Sequence, residues 1–172
     1  MKKSALTLPE PPAYYARYID LIGEEDQLIA LLDKQLQNFP KFLKSIPAEK
    51  VHYAYGPDKW TIAQVLLHIF DTERVFQYRA LSFARGDSTA LPGFDQEVFA
   101  AGTDTGTRTM QSLIEEYEVV RRATLSIFRH MGLPSLERTG VASGLDWSVG
   151  AIGFFICGHQ RYHRNLIRER YL

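Results

Sequence analysis

The stretch TIAQVLLHIFDTERVFQYRALSFARG, residues 61–86, carries the clearest helical signal in the sequence. Its apolar residues recur at spacings of three, four and seven, which places them along one face of a helix. They are Ile62, Val65, Ile69 and Phe76. Thr61 is a residue type that caps helix N-termini, and Gly86 is one that ends helices. The stretch therefore predicts a long amphipathic helix from about Ile62 to Arg85.

The same periodicity lies upstream of this helix. Apolar residues at helical spacing from Leu28 to Leu43 predict another long helix, after a short aromatic lead-in at residues 13–22. Pro40 is expected to kink or split it, because proline has no amide hydrogen for the helical ladder. Downstream, residues 86–107 contain four glycines and one proline without a sustained period. They predict a long crossover that holds about one helical turn.

Two more helices are predicted beyond the crossover. One begins near Thr107 or Thr109 and ends before Gly132, and the other begins at the N-cap Ser148 and runs almost to Leu172. The segment between them, residues 133–147, is predicted to be irregular. Four amphipathic helices without an alternating strand pattern predict an all-α fold, an antiparallel four-helix bundle with a long crossover.

Length and composition limit the kind of protein. At 172 residues the chain is expected to form one domain, residues 1–172. Twenty basic and twenty acidic residues give a net charge of zero, which argues against nucleic acid as a partner. No apolar stretch approaches the roughly twenty residues that cross a bilayer, so no membrane association is expected. A cytoplasmic location is expected, in agreement with a single cysteine, Cys157.

Two histidines lie four residues apart in the last helix, in GHQRYH, residues 158–163. His159 and His163 continue the apolar stripe of that helix, and a buried imidazole needs partners for both ring nitrogens. Two interpretations stay open: a hydrogen-bonded core pair, or two ligands of one metal ion. A catalytic zinc-type site usually has three protein ligands. Among the other histidines, His52 lies in a loop and His130 at a helix end, whereas His68 lies mid-helix at the edge of an apolar stripe.

Several residues near these histidines are candidates for a role in the site or in packing. Asp71 lies one turn after His68, where it would either orient an imidazole or be a surface charge. Cys157 faces away from His159 and is predicted to be a small buried hydrophobe rather than a ligand or nucleophile. The last helix also contains three glycines, for which close helix packing is predicted. They are Gly150, Gly153 and Gly158.

Three segments together resemble the DinB/YfiT-like superfamily, which is described as metal-dependent enzymes. They are KWTIAQVLLHIFDTERVFQYRALSFARGD, LPGFDQEVFA and GHQRYHRNLIRERY, in that order, and the resemblance runs from about Ile46 to the C-terminus. It implies a four-helix bundle with one divalent metal ion, nickel or zinc, held by three histidines. These map onto His68, His159 and His163.

The same resemblance extends to Arg79 and Asp95, which match polar positions of the family and are candidates for the pocket mouth. The alternative is that the two residues form an ion pair that ties the crossover to the second helix. No catalytic residue is assigned. A homodimer is expected, as for many members of the family.

Activities known in the superfamily include S-transfer with low-molecular-weight thiols such as bacillithiol, and mycothiol-dependent maleylpyruvate isomerisation. A three-histidine metal keeps a coordination position free and binds a thiol as its thiolate. The leading expectation is therefore a thiol S-transferase that acts on a small-molecule substrate with a low-molecular-weight thiol as cosubstrate. The alternatives are a metal-dependent hydrolase and a non-catalytic bundle that binds a small ligand or a partner and keeps a structural metal. A ferritin-like di-iron protein is disfavoured because the chain lacks the two E-x-x-H motifs of such sites.

Overall fold

The computed structural model describes residues 1–6 and 13–172. The described helices, in chain order, are α1 (Ala13–Ile19), α2 (Leu28–Lys44), α3 (Ile62–Ala84), α4 (Gln96–Gly102), α5 (Met110–Phe128), α6 (Leu133–Leu136) and α7 (Val149–Arg170). Short 3₁₀ turns lie at Lys3–Ala5 and Ala48–Lys50, and two strands, β1 (Thr139–Ala142) and β2 (Leu145–Ser148), precede α7. None of the described helices combines the length and the apolar character that a membrane span requires.

Helices α2, α3, α5 and α7 form a four-helix bundle, which confirms the predicted all-α fold. The long crossover lets α3 and α5 run parallel, because it returns the chain to the end where α3 began. The ring of Phe70 lies 5.9 Å from that of Tyr117, and about two turns further along both helices the Gln77 side chain donates a hydrogen bond to the Thr124 hydroxyl. The contacts of α3 with α7 and of α2 with α5 are antiparallel. Helix α7 is central, since it also contacts α1, α2, α6 and β2.

The predicted helix ends are confirmed where a side chain or a glycine fixes them. The Thr61 hydroxyl accepts a hydrogen bond from the Gln64 amide, and the Gln64 side chain accepts one in return from the Thr61 amide. Thr109 caps α5 in the same way, and Ser148 caps α7. Gly86, with φ +84°, follows α3 in the left-handed conformation that favours glycine.

Pro40 does not split α2, so that part of the prediction is wrong. The helix continues from Leu28 through Pro40 to Lys44. A proline inside a helix costs about 3 kcal/mol. Phe39 and Leu43 flank it and are buried, and burial of such side chains stabilises by about 1.5–3 kcal/mol each. Packing of this helix face therefore outweighs the lost hydrogen bond.

Residues 133–147 are not irregular as predicted, because they include α6 and most of a β-hairpin. Strands β1 and β2 pair antiparallel. Ser143 and Gly144 join them with φ +55° and +74°, as a two-residue hairpin turn requires. Each strand has four residues, which is too short to show a clear alternation in the sequence. The hairpin also holds the crossover, since Leu91 exchanges backbone hydrogen bonds with Val141 and Ser143.

Gly158 lies where α1 packs against α7. A Cβ added to Gly158 would be 2.1 Å from the carbonyl oxygen of Tyr18, closer than real Cβ contacts. Added Cβ atoms at Gly150 and Gly153 would each lie 2.7 Å from a side-chain atom of another segment. The predicted role of these glycines in close packing is confirmed.

The substitution Gly158→Ala is expected to lower the free energy of unfolding by about 1–3 kcal/mol, since the new methyl group meets backbone that a rotamer change cannot move. Urea denaturation followed by circular dichroism measures this loss. Gly102→Ala is the control, because nothing lies within 4 Å of a Cβ added there. We expect the control to be as stable as the original chain or slightly more stable. Equal losses in the two variants would contradict the packing explanation.

Candidate metal centre

Three histidine side chains converge where α3 packs against α7. His68 comes from the middle of α3, and His159 and His163 come from successive turns of α7. The Nε2 atom of His159 lies 3.1 Å from Nε2 of His68 and 3.1 Å from Nε2 of His163. All three side chains are buried, with exposed fractions of 8%, 4% and 8%. The antiparallel pairing of the two helices thus brings the three predicted ligands together.

Hydrogen bonding alone does not satisfy these three nitrogens. An Nε2 atom of a neutral imidazole carries one hydrogen or one lone pair, so His159 forms at most one ordinary hydrogen bond there. It nevertheless has two close Nε2 neighbours. Imidazoles about 2 Å from one tetrahedral ion have their nitrogens about 3.3 Å apart, close to the observed spacing. The three side chains fit a shared divalent ion, and their ligand atoms lie within 4.8 Å of one another.

Burial keeps the three imidazoles neutral near pH 7. It lowers the pKa of His68 from 6.5 to about 4 and is the largest cause for His163, whose pKa falls to about 3. The pKa of His159 is also lowered, by burial first and then by His163 and His68. Metal ions bind the neutral imidazole, so the burial favours ligation.

The metal-free protein is expected to lose stability as the pH falls from about 6.5 to about 4, the window between the unfolded and folded pKa of His68. In this window the unfolded chain binds more protons than the folded chain, so acid favours unfolding. Each buried histidine would contribute up to about 1.4 kcal/mol per pH unit. Urea denaturation at several pH values measures the slope, and His130→Gln, at an exposed position, is the control. A flat profile would contradict the buried neutral histidines.

Asp71, another predicted site residue of α3, lies at the surface side of the helix. Its Oδ1 accepts a hydrogen bond from Arg74 at 3.1 Å. Partial burial raises the pKa of its carboxyl, and Arg74 opposes that shift. This placement agrees with the surface-charge interpretation rather than with a carboxylate that orients an imidazole.

Within the described chain, Nδ1 of His163 has no hydrogen-bond partner.

Arg79 and Asp95 do not form the ion pair that was one prediction for them. Arg79 is buried, and its Nη2 donates to the carbonyl of Pro92 at 2.9 Å and to Oγ of Ser143 at 2.8 Å. Arg79 therefore ties the crossover to α3 through a backbone carbonyl. Asp95 is exposed and accepts hydrogen bonds from the first amides of α4, as a helix cap. Two cavities touch the histidine cluster, and the side chains of Arg79 and Asp95 line neither of them.

Two cavities touch the histidine cluster at different histidines. One, of about 190 Å³, touches His68 and His159. Its other lining residues are Tyr15, Tyr18, Thr72, Phe76, Phe94, Gln96 and Phe155. The second, of about 270 Å³, touches His163. It is otherwise lined by Tyr55, Asp58, Lys59, Trp60, Val65, Gln96, Glu97, Leu166 and Tyr171. Gln96, the first residue of α4, lines both.

A buried ion pair, which the sequence analysis missed, lies next to this site. Arg121 of α5 is fully buried and donates to both carboxylate oxygens of Glu73, at 2.7 and 2.9 Å. It also donates to the side chains of Gln35 and Gln160, so it joins α2, α3, α5 and α7. Burial is the largest single effect and lowers the pKa of Arg121, but Glu73, together with smaller effects of Tyr117 and Cys157, raises that pKa overall. The sequence contains a signal for this buried ion pair, since Glu73 and Arg121 each lie four residues after an apolar core residue and therefore share its helix face.

Cys157 is buried next to this network, as predicted. Burial is the largest cause that raises the pKa of its thiol, to about 12, so it is not a thiolate at neutral pH. Its backbone carbonyl accepts a hydrogen bond from Gln35. Cys157 is therefore a core residue rather than a nucleophile.

Comparison with known proteins agrees with this architecture. A sequence profile of the DinB superfamily matches residues 31–167, which is most of the chain. The chain belongs to the DinB superfamily. Among solved structures, this DinB-superfamily protein is similar to YfiT from Bacillus subtilis, described as a probable metal-dependent hydrolase with an unusual four-helix bundle topology. The TM-score is 0.74 at 14% identity, over 85% of each chain. No protein with a curated description is significantly similar in sequence.

Proposed function

We propose that this DinB-superfamily protein is a divalent-metal-dependent enzyme that transfers a low-molecular-weight thiol to a small-molecule acceptor. The observation that carries the proposal is the convergence of three buried Nε2 atoms on one point. His68, His159 and His163 would hold nickel or zinc, both of which suit imidazole ligands. When bound, such an ion offers a free coordination position that lowers the pKa of a thiol or of a water molecule there.

The two cavities support a reaction with two substrates. The cavity at His68 and His159 has aromatic walls and a volume of about 190 Å³, which suits a small apolar acceptor. Thr72 lines it and is 3% exposed, and its hydroxyl has no hydrogen-bond partner within the described chain. A polar atom of the acceptor would satisfy that hydroxyl.

The cavity at His163 differs in character, because Asp58, Lys59 and Glu97 line it. Charges of both signs suit a thiol that itself carries an amino and a carboxyl group. In the transfer, the thiol gives up its proton to solvent, and its sulphur forms a bond to an electrophilic carbon of the acceptor. The leaving group departs with the electron pair of the broken bond.

Hydrolysis is the second candidate, because YfiT, described as a probable metal-dependent hydrolase, shares the fold. A metal ion that activates a thiol also activates water. The two reactions differ in whether a thiol is consumed.

The test compares both reactions on protein loaded with nickel or zinc. Transfer is assayed with cysteine and chlorodinitrobenzene, and hydrolysis with p-nitrophenyl acetate, with and without the thiol. Metal-dependent consumption of thiol, lost in His163→Ala, would support the transferase. Thiol-independent, metal-dependent ester cleavage would favour the hydrolase. If metal removal lowers the melting temperature and neither reaction depends on metal, the metal is structural and the proposal fails.

A further inference from the structure

We infer that a groove between α2 and α7, apart from the histidine cluster, binds a small organic anion with a flat apolar body. The groove is a cavity of about 540 Å³, within the range of roughly 300–1,000 Å³ that is usual for small-ligand sites. It opens where α2 and α7 lie side by side, and α2 has its main contacts with α5 rather than with α7. This inference is independent of the proposed function.

The groove has positive charge without a balancing carboxylate. Lys34 and Lys41 of α2 and Arg161 and Arg164 of α7 line it, and its described lining contains no aspartate or glutamate. The whole chain has a net charge of zero, so these four cations form a local excess rather than part of a general one. A concave site with one sign of charge concentrates ligands of the opposite sign.

Arg161 and Arg164 are held in place at the side of the groove, and each keeps N–H groups that a ligand could accept hydrogen bonds from. Nη1 of Arg161 donates to the carbonyl of Leu21 at 2.6 Å, and the guanidinium of Arg164 lies 5.2 Å from the centre of the Phe42 ring. In the described part of the chain, neither forms an ion pair. Guanidinium groups in fixed positions suit carboxylate and phosphate oxygens.

The floor of the groove supplies a buried hydrogen-bond donor. Gln160 is 2% exposed, and its Oε1 accepts from Arg121 at 3.2 Å and from the Tyr117 hydroxyl at 3.3 Å. Because the Arg121 guanidinium can only donate, it fixes the Gln160 side-chain amide with its oxygen, Oε1, pointing inward. No described residue accepts a hydrogen bond from Nε2 of Gln160, although Gln160 lines the groove. An anionic oxygen at the floor would accept that bond.

Apolar side chains form the rest of the lining and define the body of the ligand. Phe39 and Phe42 lie with their rings 6.0 Å apart and inclined by 23°, and Leu31 lies on the same face of α2. Inorganic phosphate would leave this surface uncovered. An aromatic carboxylate or an aromatic phosphate ester meets both the cations and the rings, since stacked rings and a fixed donor set favour flat anions.

Calorimetric titration of metal-free, folded protein tests the inference with four probes: naphthoate, naphthyl phosphate, the uncharged naphthalenemethanol and inorganic phosphate. We expect at least one naphthyl anion to bind at least about tenfold more tightly than the alcohol and than inorganic phosphate. The tighter of the two anions identifies the acidic group. Binding should persist in His159→Ala, which separates the groove from the histidine cluster.

Matched variants locate the site. Arg164→Gln is expected to weaken anion binding at least about tenfold, and Lys34→Gln, at an exposed position that leaves folding intact, by about three- to fivefold. Arg168→Gln, on an exposed part of the same helix outside the groove, should change binding less than about twofold. Equal binding of the alcohol, absence of binding by both anions, or equal losses in Arg164→Gln and Arg168→Gln would each overturn the inference.

Discussion

Replacing Arg121 with methionine is expected to lower the free energy of unfolding by about 3–5 kcal/mol, one of the largest effects of any single substitution in the chain. Methionine keeps much of the side-chain length but leaves the Glu73 carboxylate buried without its cation. It also leaves the side-chain oxygens of Gln35 and Gln160 without their donor from Arg121. Urea denaturation of the metal-free protein measures the loss.

The neighbouring residue gives a matched control. Arg122 is exposed and pairs with Glu118 one turn away, so Arg122→Met should change stability by no more than about 0.5 kcal/mol. A double replacement, Glu73→Met with Arg121→Met, removes both charges and should be more stable than Arg121→Met alone. If Arg121→Met cost as little as Arg122→Met, the ion pair would not hold the bundle together.

The second large effect concerns metal binding. His159→Ala is expected to reduce the affinity for zinc or nickel at least about a hundredfold, because loss of a ligand exceeds the 10- to 100-fold typical of an outer-shell partner. His159 is the middle ligand, since its Nε2 contacts those of both His68 and His163. Metal content by mass spectrometry and competition with a chromogenic chelator measure the change.

Two histidines outside the cluster serve as controls. His52 and His130 are exposed, so their replacement with alanine should leave the metal content unchanged. Stoichiometric metal in His159→Ala would show that the ion binds elsewhere. Failure of the unaltered protein to take up zinc or nickel after metal removal would mean that the three histidines form only a hydrogen-bonded core cluster.

Local signals predicted the helices well, because caps and apolar periodicity act within a few residues. Thr61, Ser148 and Gly86 each fixed an end that the structure confirms. The pair His159 and His163 could be recognised from its spacing on an apolar helix face, but the pattern left the third ligand open, and His68 was predicted from the resemblance to the DinB superfamily. The hairpin was missed because its turn depends on two positive φ angles, which Ser143 and Gly144 suggest only weakly.

Contacts between distant segments were the other source of error. Gln96 lines both cavities because the crossover passes over the histidines, and no periodicity in the sequence fixes that path. The partner of Arg79 proved to be the backbone of Pro92, which composition cannot distinguish from the nearby Asp95. Glu73 and Arg121 were overlooked because charged residues are rarely buried, although both occupy core-facing positions.

The central position of α7 has a consequence for synthesis in the cell. The ribosome makes α1, α2 and α3 before α7, the helix that packs against all three. Until α7 emerges, the apolar faces of α1 and α3 lack their main cover, and exposed surfaces of this kind favour aggregation and chaperone binding. His159 and His163 also emerge late, long after His68. Completion of the bundle and assembly of the three-histidine site are thus both delayed until α7 has left the ribosome, so a divalent metal ion would act on a late stage of folding.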